Sequence, residues 1–570
     1  MQNYKKLLSE KILKKINESF GEVQINESDI LSMLEYPPDN TLGDIALPCF
    51  KLSRSLRRSP VQIAQTIADG LADADIAKAE AVNGYLNIAI SDDYLAHVVS
   101  EEILYKGNKY GSASIGEGKT VVLDYSSPNV AKPFHIGHLG TTVIGHSLKK
   151  LHEFVGYNCV GINYLGDWGT QFGKMIVAYK KWGDRDAIIK GGIDKLVELY
   201  VKFHHAAEED NALEDEARAE FHKLELGDEE NIALWKWFIE ISIAEYKKTY
   251  AQLGIEFDSY KGESFYTDKM PAQVQKLREM GLLKIDDGAS IVDLEAYNMP
   301  PCLILKRDGS TLYPTRDIAA AVYRKQTYDF DKAIYVTSAG QSLHFAQWFK
   351  VVELMQYDWY DKLVHVPYGT VSINGAKLAT RTGNVILLKD LFAQAIEKVS
   401  DIMDEKNPDL ENKDEVAEAV GVGAIVFYYL SSNRIRDINF VLEDALSFDG
   451  NTGPYVQYTY ARSCSLIDKA KAIDTNGSIK LTCDDERELV KALARFPEKV
   501  FEAIEAYEPS VITRYILDVA TAFNRFYHNC QILSVSDSDV LSTRIALTKA
   551  ANLVLGNAFE LICLKKTEKI

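Results

Sequence analysis

Thr120-Val-Val-Leu-Asp-Tyr125, Ser126-Ser-Pro-Asn129, His135-Ile-Gly-His138 and Cys159-Val-Gly-Ile-Asn-Tyr164 follow one another within 45 residues. The first run is apolar and rich in β-branched residues, as a buried strand requires. Ser, Pro and Asn then supply a turn. The spacing predicts a helix from near His135 to about Val155, stopped by Gly156. The run from Cys159 reads as a second strand. Strand, crossover helix and strand form a β-α-β unit, the opening of a parallel doubly wound sheet. Ala333-Ile-Tyr-Val-Thr337 and Leu363-Val-His-Val366 read as strands that resume it.

The two histidines sit at the strand-to-helix crossover, where open α/β sheets bind ligands. A helix start offers unpaired N–H groups and partial positive charge, which suits a phosphate. Gly137 removes a side chain where a flat base would approach. Imidazoles donate hydrogen bonds to phosphate oxygens and stabilise charge that builds in a transition state. A metal pair is disfavoured, because His at i, i+3 with no Cys or carboxylate cluster nearby is weak zinc grammar.

The chain has 570 residues, which predicts roughly three or four domains. It is 46% hydrophobic and 26% charged, with a mean hydropathy of -0.15. That balance excludes a disordered or fibrous chain. No apolar run reaches the roughly 18 residues of a membrane span. Residues 1–20 are amphipathic and charged rather than signal-like, so a cytoplasmic protein is expected. Seven scattered cysteines form no Cys-x-x-Cys pair, so reduced thiols are expected, with no disulfide framework and no structural metal. A net charge of -18 argues against a nucleic-acid partner only if the charge is spread evenly.

It is not. Lys51, Arg54, Arg57 and Arg58 have no acid among them and read as either a solvated helix face or a phosphate-contacting patch. Residues 81–90 alternate like one strand. Residues 111–118 read as a linker. From His204 to Glu230, eleven carboxylates face only Arg218 and Lys223, a solvated helical insertion. Short β-like runs fill 281–306. After about Asp449 the pattern is all-helical, and Val511, Tyr515, Val519, Phe523 and Phe526 form a core stripe. The expected architecture is therefore multidomain α/β: an N-terminal α+β domain (1–112), a Rossmann-like parallel-sheet catalytic core with insertions (113–448) and a C-terminal all-α bundle (449–570).

The chain resembles the class I aminoacyl-tRNA synthetases and, within them, the arginyl-tRNA synthetase family. The resemblance rests on residues 126–140 and 163–173, and on Leu312-Tyr-Pro-Thr-Arg-Asp-Ile-Ala319, Gly340-Gln-Ser-Leu-His-Phe345 and Ser447-Phe-Asp-Gly-Asn-Thr-Gly-Pro-Tyr-Val-Gln-Tyr458. Gly43-Asp-Ile-Ala46 and the basic helix after it match the family's N-terminal tRNA-binding domain. What the resemblance implies is activation of L-arginine by ATP with Mg²⁺ and transfer to the 3′ end of tRNA(Arg), by a monomer. It places Ser127, Asn129, His138, Tyr313, Asp317 and Gln341 around the arginine, with Asp317 as counter-charge. It places His135, Gly137, His138, Lys377 and Arg381 at the nucleotide. It assigns tRNA contacts to Arg54, Arg57 and Arg58, and to Tyr455, Gln457, Tyr460 and Arg462. A guanidinium needs a carboxylate, and an ammonium needs acceptors, so the residue types fit.

Two departures stand out. The second class I signature, Lys-Met-Ser-Lys-Ser in the family at large, reads Lys377-Leu-Ala-Thr-Arg-Thr-Gly-Asn384 here, with Thr380 in place of the phosphate-binding lysine. Lys132, three residues before His135, is the better-placed catalytic cation, with Arg381 the other candidate. The terminus, Cys563-Leu-Lys-Lys-Thr-Glu-Lys-Ile570, lacks the family's apolar tail, and Lys565, Lys566 and Lys569 are free in sequence terms to touch phosphate. Alternatives are another class I synthetase, such as the cysteinyl type, whose zinc cysteines are absent, or a non-catalytic paralogue that binds tRNA or arginine. The reaction needs no side-chain nucleophile, and no Ser-His-Asp or Cys-His set is present.

Overall fold

Among the described residues, four parallel strands build the central sheet: β1 (Thr120–Asp124), β2 (Asn158–Ile162), β3 (Lys332–Ser338) and β4 (Leu363–Tyr368). Their order is β4-β3-β1-β2. The computed structural model describes residues 1–377, 386–471 and 478–570. The predicted crossover helix is α1 (Leu139–Phe154), entered through a 3₁₀ turn at Ile136–His138 and ended before Gly156, whose φ is 95°. Glycine tolerates that left-handed value without strain.

Strand alternation divides the core. Val121, Leu123, Ile334 and Val336 pack with Val143, Leu148 and Leu151 of α1. Val122, Ala333 and Tyr335 point to the opposite face. There they meet α2 (Tyr313–Tyr328) and α3 (Ser342–Leu354) through Ile318, Ala321, Trp348 and Val352. Helices thus cover both faces, as a parallel sheet requires. Gly145 permits the close seat of α1, since a Cβ there would come within 2.3 Å of Tyr125. The chain leaves β1 toward β2 on one side, and β3 lies on the other. A topological switch point therefore opens at the carboxyl ends of β1 and β3.

The N-terminal unit packs helix Pro60–Ala68 on an antiparallel three-stranded sheet, with helix Gln2–Phe20 against that helix. The expected single strand over 81–90 is corrected. It is a hairpin, Ile76–Val82 with Tyr85–Ile90, turning at Asn83 and Gly84 with φ of 50° and 83°. Both central residues have positive φ, as a two-residue hairpin turn demands. A second antiparallel sheet (Leu283–Asp286, Ala289–Val292, Cys302–Leu305) fills the predicted β-like region.

The acidic stretch is helical, as expected, within helices Arg185–Glu209, Ala212–Glu225 and Glu229–Leu253. Among the described residues the C-terminal bundle has five helices from Gly453 to Leu561, and its stripe Val511, Tyr515, Val519, Phe523 and Phe526 is buried. Helices Leu388–Lys406 and Lys413–Ser431 already share that bundle's core. All seven cysteines are free. Among the described residues one group could hold a metal: Cys483, Glu486 and Cys530. Glu486 is already engaged there by Arg544 Nε at 2.8 Å and by the Thr482 N–H at 2.6 Å. No described helix is long and apolar enough to cross a membrane.

Candidate active site

A cleft of about 470 Å³ lies at the switch point. Asp124, Ser126, Ser127, Asn129, His138, Tyr313, Asp317 and Gln341 all line it. The structure therefore brings together every residue expected around the arginine, from four separate segments of chain.

The loop after β1 is strained. Ser126, Ser127 and Ala131 have φ of 72°, 45° and 59°, each costing on the order of 1–3 kcal/mol unless the surroundings enforce it. Here they do. The Ser126 N–H donates to Thr141 Oγ1 at 3.0 Å, and Ser126 Oγ meets Thr142 Oγ1 and the Tyr250 hydroxyl at 2.8 and 2.7 Å. The Ala131 N–H donates to Ser242 Oγ at 3.1 Å. The Tyr246 hydroxyl shares its one proton between the carbonyls of Asn129 and Lys132, at 2.7 and 2.8 Å. Ser242, Tyr246 and Tyr250 recur every four residues on one helix face, so the last insertion helix braces the substrate loop. Gly166 completes it, because a Cβ there would sit 2.1 Å from Asn129 Oδ1.

Two ion pairs border the cleft. Arg324 of α2, 1% exposed, pairs with Asp124 at the end of β1 at 2.7 Å. Burial pushes the Asp124 carboxyl upward, against the pull of Arg324. Asp124 Oδ1 also accepts the Ser127 hydroxyl at 3.0 Å, fixing that side chain. Arg316 pairs with Glu263 at 2.6 Å. Burial, offset by Arg316 and reinforced by Asp317, lifts Glu263 to about 7. Asp317 Oδ2 meets His344 Nε2 at 2.6 Å.

The paired histidines are locked by backbone donors. The Gly137 N–H donates to His135 Nδ1 at 3.0 Å, and the His135 N–H donates to His138 Nδ1 at 3.2 Å. A nitrogen that accepts cannot carry the proton, so each neutral ring keeps it on Nε2. Burial, helped by Lys132, holds His135 down at about 4. Burial, with His135 second, holds His138 at about 3. Both rings are therefore neutral Nε2–H donors at physiological pH. Their centroids lie 3.9 Å apart, and Phe134 stacks on His138 at 5.2 Å.

The segment that follows the second signature, from Ile386, is brought alongside. The Ile136 N–H donates to the Ile386 carbonyl at 3.2 Å, and the Leu388 N–H to the Phe134 carbonyl at 3.0 Å. The expected nucleotide contact Arg381, and Thr380, lie outside the described residues. Lys377 ends the short strand Ala376–Lys377. Lys132 makes no ion pair among the described residues.

Three family profiles match the chain in order: the arginyl tRNA synthetase N-terminal domain over residues 6–90, the class I (R) tRNA synthetase catalytic domain over 99–442, and the DALR anticodon-binding domain over 456–570. The arginine–tRNA ligase of Alkaliphilus metalliredigens is 51% identical, over 96% of this chain and 97% of that one. The chain belongs to the arginyl-tRNA synthetase family. The arginine–tRNA ligase of Halothermothrix orenii is 48% identical over the full length of both chains. Among solved structures, the Plasmodium falciparum arginyl-tRNA synthetase superposes with a TM-score of 0.81 at 25% identity, covering 100% of this chain and 99% of that one. The Thermus thermophilus enzyme has the same fold, with a TM-score of 0.82 at 23% identity over 99% of each chain. The synthetase is an ATP-dependent arginine–tRNA ligase, with tRNA and arginine as partners.

The residues expected at the tRNA divide into two groups. Arg54, Arg57 and Arg58 are exposed on the N-terminal unit of the synthetase. Gln457 and Tyr460 are corrected. Gln457 is fully buried, its amide donating to the carbonyls of Ala419 and Lys565 at 3.2 and 3.0 Å. Tyr460 is 8% exposed and packs on Phe559. The outward face of that helix carries Tyr458, with Arg462 lying 4.9 Å from its ring and 4.7 Å from that of Tyr527. Asn524 joins Arg462 to Tyr455 through bonds of 2.7 and 2.9 Å. Tyr527 and Asn524 lie outside the string that suggested the contact, so the sequence gave no sign of them beyond their being polar positions between core residues. Lys565 and Lys566 pair with Glu418 and Glu560 at 3.1 and 2.6 Å.

Proposed function

We propose that the cleft orients arginine between its two ends. Asp317 takes the guanidinium, while Ser127, Asn129, Tyr313 and Gln341 hold the ammonium and stem. His135 and His138 present Nε2–H groups to the ATP phosphates. The observation that carries this reading is that one cleft is lined both by an acid, Asp317, and by a neutral imidazole donor, His138.

An arginine carboxylate oxygen attacks the α-phosphorus, the bond to the β-phosphate bridge oxygen breaks, and pyrophosphate leaves. The terminal ribose hydroxyl of tRNA(Arg) then attacks the carbonyl carbon of arginyl-adenylate, and AMP leaves. The residues orient the reactants and stabilise developing phosphate charge. Neutral donors suit this task because they do not compete with the Mg²⁺ that enters with the nucleotide as substrate. The reading includes a cytoplasmic monomer built of units 1–112, 113–448 and 449–570. Arg54, Arg57, Arg58, Tyr455 and Arg462 contact tRNA in it, with Tyr458 added and Gln457 and Tyr460 removed.

Lys132 supplies the cation missing at Thr380. Arginine-dependent pyrophosphate exchange, run with and without the tRNA transcript, tests the reading. Lys132→Ala is expected to lower kcat by about 100-fold and Arg381→Ala by less than about tenfold. An unimpaired Lys132→Ala enzyme would remove Lys132 from the mechanism. Exchange with cysteine instead of arginine would overturn the pocket assignment.

A further inference from the structure

His344 stands against the acid assigned above to the guanidinium. It follows Gln341 by three residues as α3 begins, which carries it back over the cleft onto α2. Its side chain is 27% exposed and that of Asp317 19%, so their 2.6 Å contact is shielded but open to a ligand. A carboxylate that grips a planar fork must be held in one rotamer with lone pairs free. One N–H on Oδ2 fixes the rotamer and leaves Oδ1 and a second lone pair of Oδ2 for substrate.

We propose that His344 is a positioning residue for arginine: its Nε2–H donates to Asp317 and aims that carboxylate at the guanidinium. The inference rests on the reading of Asp317 given above.

The other charges facing this pair are engaged. On α2, Arg316 pairs with Glu263 and Arg324 with Asp124. On β4, His365 meets Thr337 Oγ1 at 2.8 Å and is held at about 4 by burial. On α3, the next charged side chain, Lys350, pairs with Glu353. Variants at 344 therefore isolate its contact with Asp317.

The test is the arginine KM in tRNA-supported pyrophosphate exchange at a fixed pH. His344→Ala raises KM about tenfold with kcat within about twofold, because the lost contact orients bound arginine and not the reacting phosphate. His344→Gln, which keeps an N–H donor, recovers at least about threefold of that loss. An unchanged KM in His344→Ala, or a His344→Gln enzyme no better than His344→Ala, overturns the proposal. Should His344→Ala not fold, His344→Leu takes its place as the variant without a donor. Asp317→Asn separates the two readings. If it leaves the arginine KM unchanged, the pocket assignment itself fails. If it raises KM at least about 100-fold while the 344 variants behave as the unaltered enzyme, only the positioning role fails.

Discussion

Replacing His138 by alanine is expected to lower kcat for arginine-dependent pyrophosphate exchange by about 100- to 1,000-fold, the usual cost of removing one donor aimed at transition-state charge. The ring is a neutral Nε2–H donor because its Nδ1 accepts the His135 N–H and burial keeps the second proton off down to about pH 3. The sign of the pH dependence follows. With His135 at about 4 and His138 at about 3, neither ring changes charge between pH 6 and 8, so these residues add no inflection to kcat there. Alanine also deprives the His135 N–H of its acceptor, so some loss of Tm is expected. His138→Asn offers an acceptor oxygen to that N–H but cannot reproduce the Nε2–H. It is expected to keep Tm nearer the unaltered value while losing kcat to a similar extent. An asparagine variant with full kcat would show that the ring serves only to cap the 3₁₀ turn.

Arg324→Leu is the substitution with the largest expected effect on stability. It leaves Asp124, 6% exposed, without its counter-charge, and breaking one side of a buried pair costs about 3–5 kcal/mol. Arg324 also lies 5.1 Å from the Tyr164 ring, 5.9 Å from Tyr266 and 5.6 Å from Tyr335, so the stem and guanidinium fill a tyrosine-lined box. Chemical denaturation followed by fluorescence measures the loss. Adding Asp124→Asn is expected to recover part of it, because the uncompensated charge is gone. The double variant still lacks the carboxylate that holds the Ser127 hydroxyl, so its arginine KM remains raised. If the single and double variants were equally unstable, the penalty would arise from lost packing around the tyrosines.

The sheet and the crossover were legible because a period-2 apolar run and a helical run differ over a few neighbouring residues. Tyr313 and Asp317 were legible only through the resemblance, and the structure places them one turn apart on α2. His344 reaches Asp317 across 27 residues, and Arg324 reaches Asp124 from another helix altogether, so only tertiary packing reveals them. The bracing face Ser242, Tyr246 and Tyr250 reads in sequence as ordinary amphipathic helix, and nothing local says that it meets the loop after β1. Gln457 and Tyr460 are three residues apart and so share one face. Tyr458 and Arg462, four apart, share the opposite one. Residue type suggested nucleic-acid contact for both sets, and only burial separates them. Asn83-Gly84 was a strong turn signal that the surrounding alternation masked.

A crystal structure of the chain with L-arginine and a non-hydrolysable ATP analogue tests the proposed placement of both ligands most directly. The expected result is a guanidinium in bidentate contact with Asp317, about 2.7–2.9 Å from its oxygens, and phosphate oxygens within hydrogen-bonding reach of His135 and His138 Nε2. A guanidinium bound elsewhere while Asp317 keeps only His344, or phosphates lying away from both imidazoles, would contradict it.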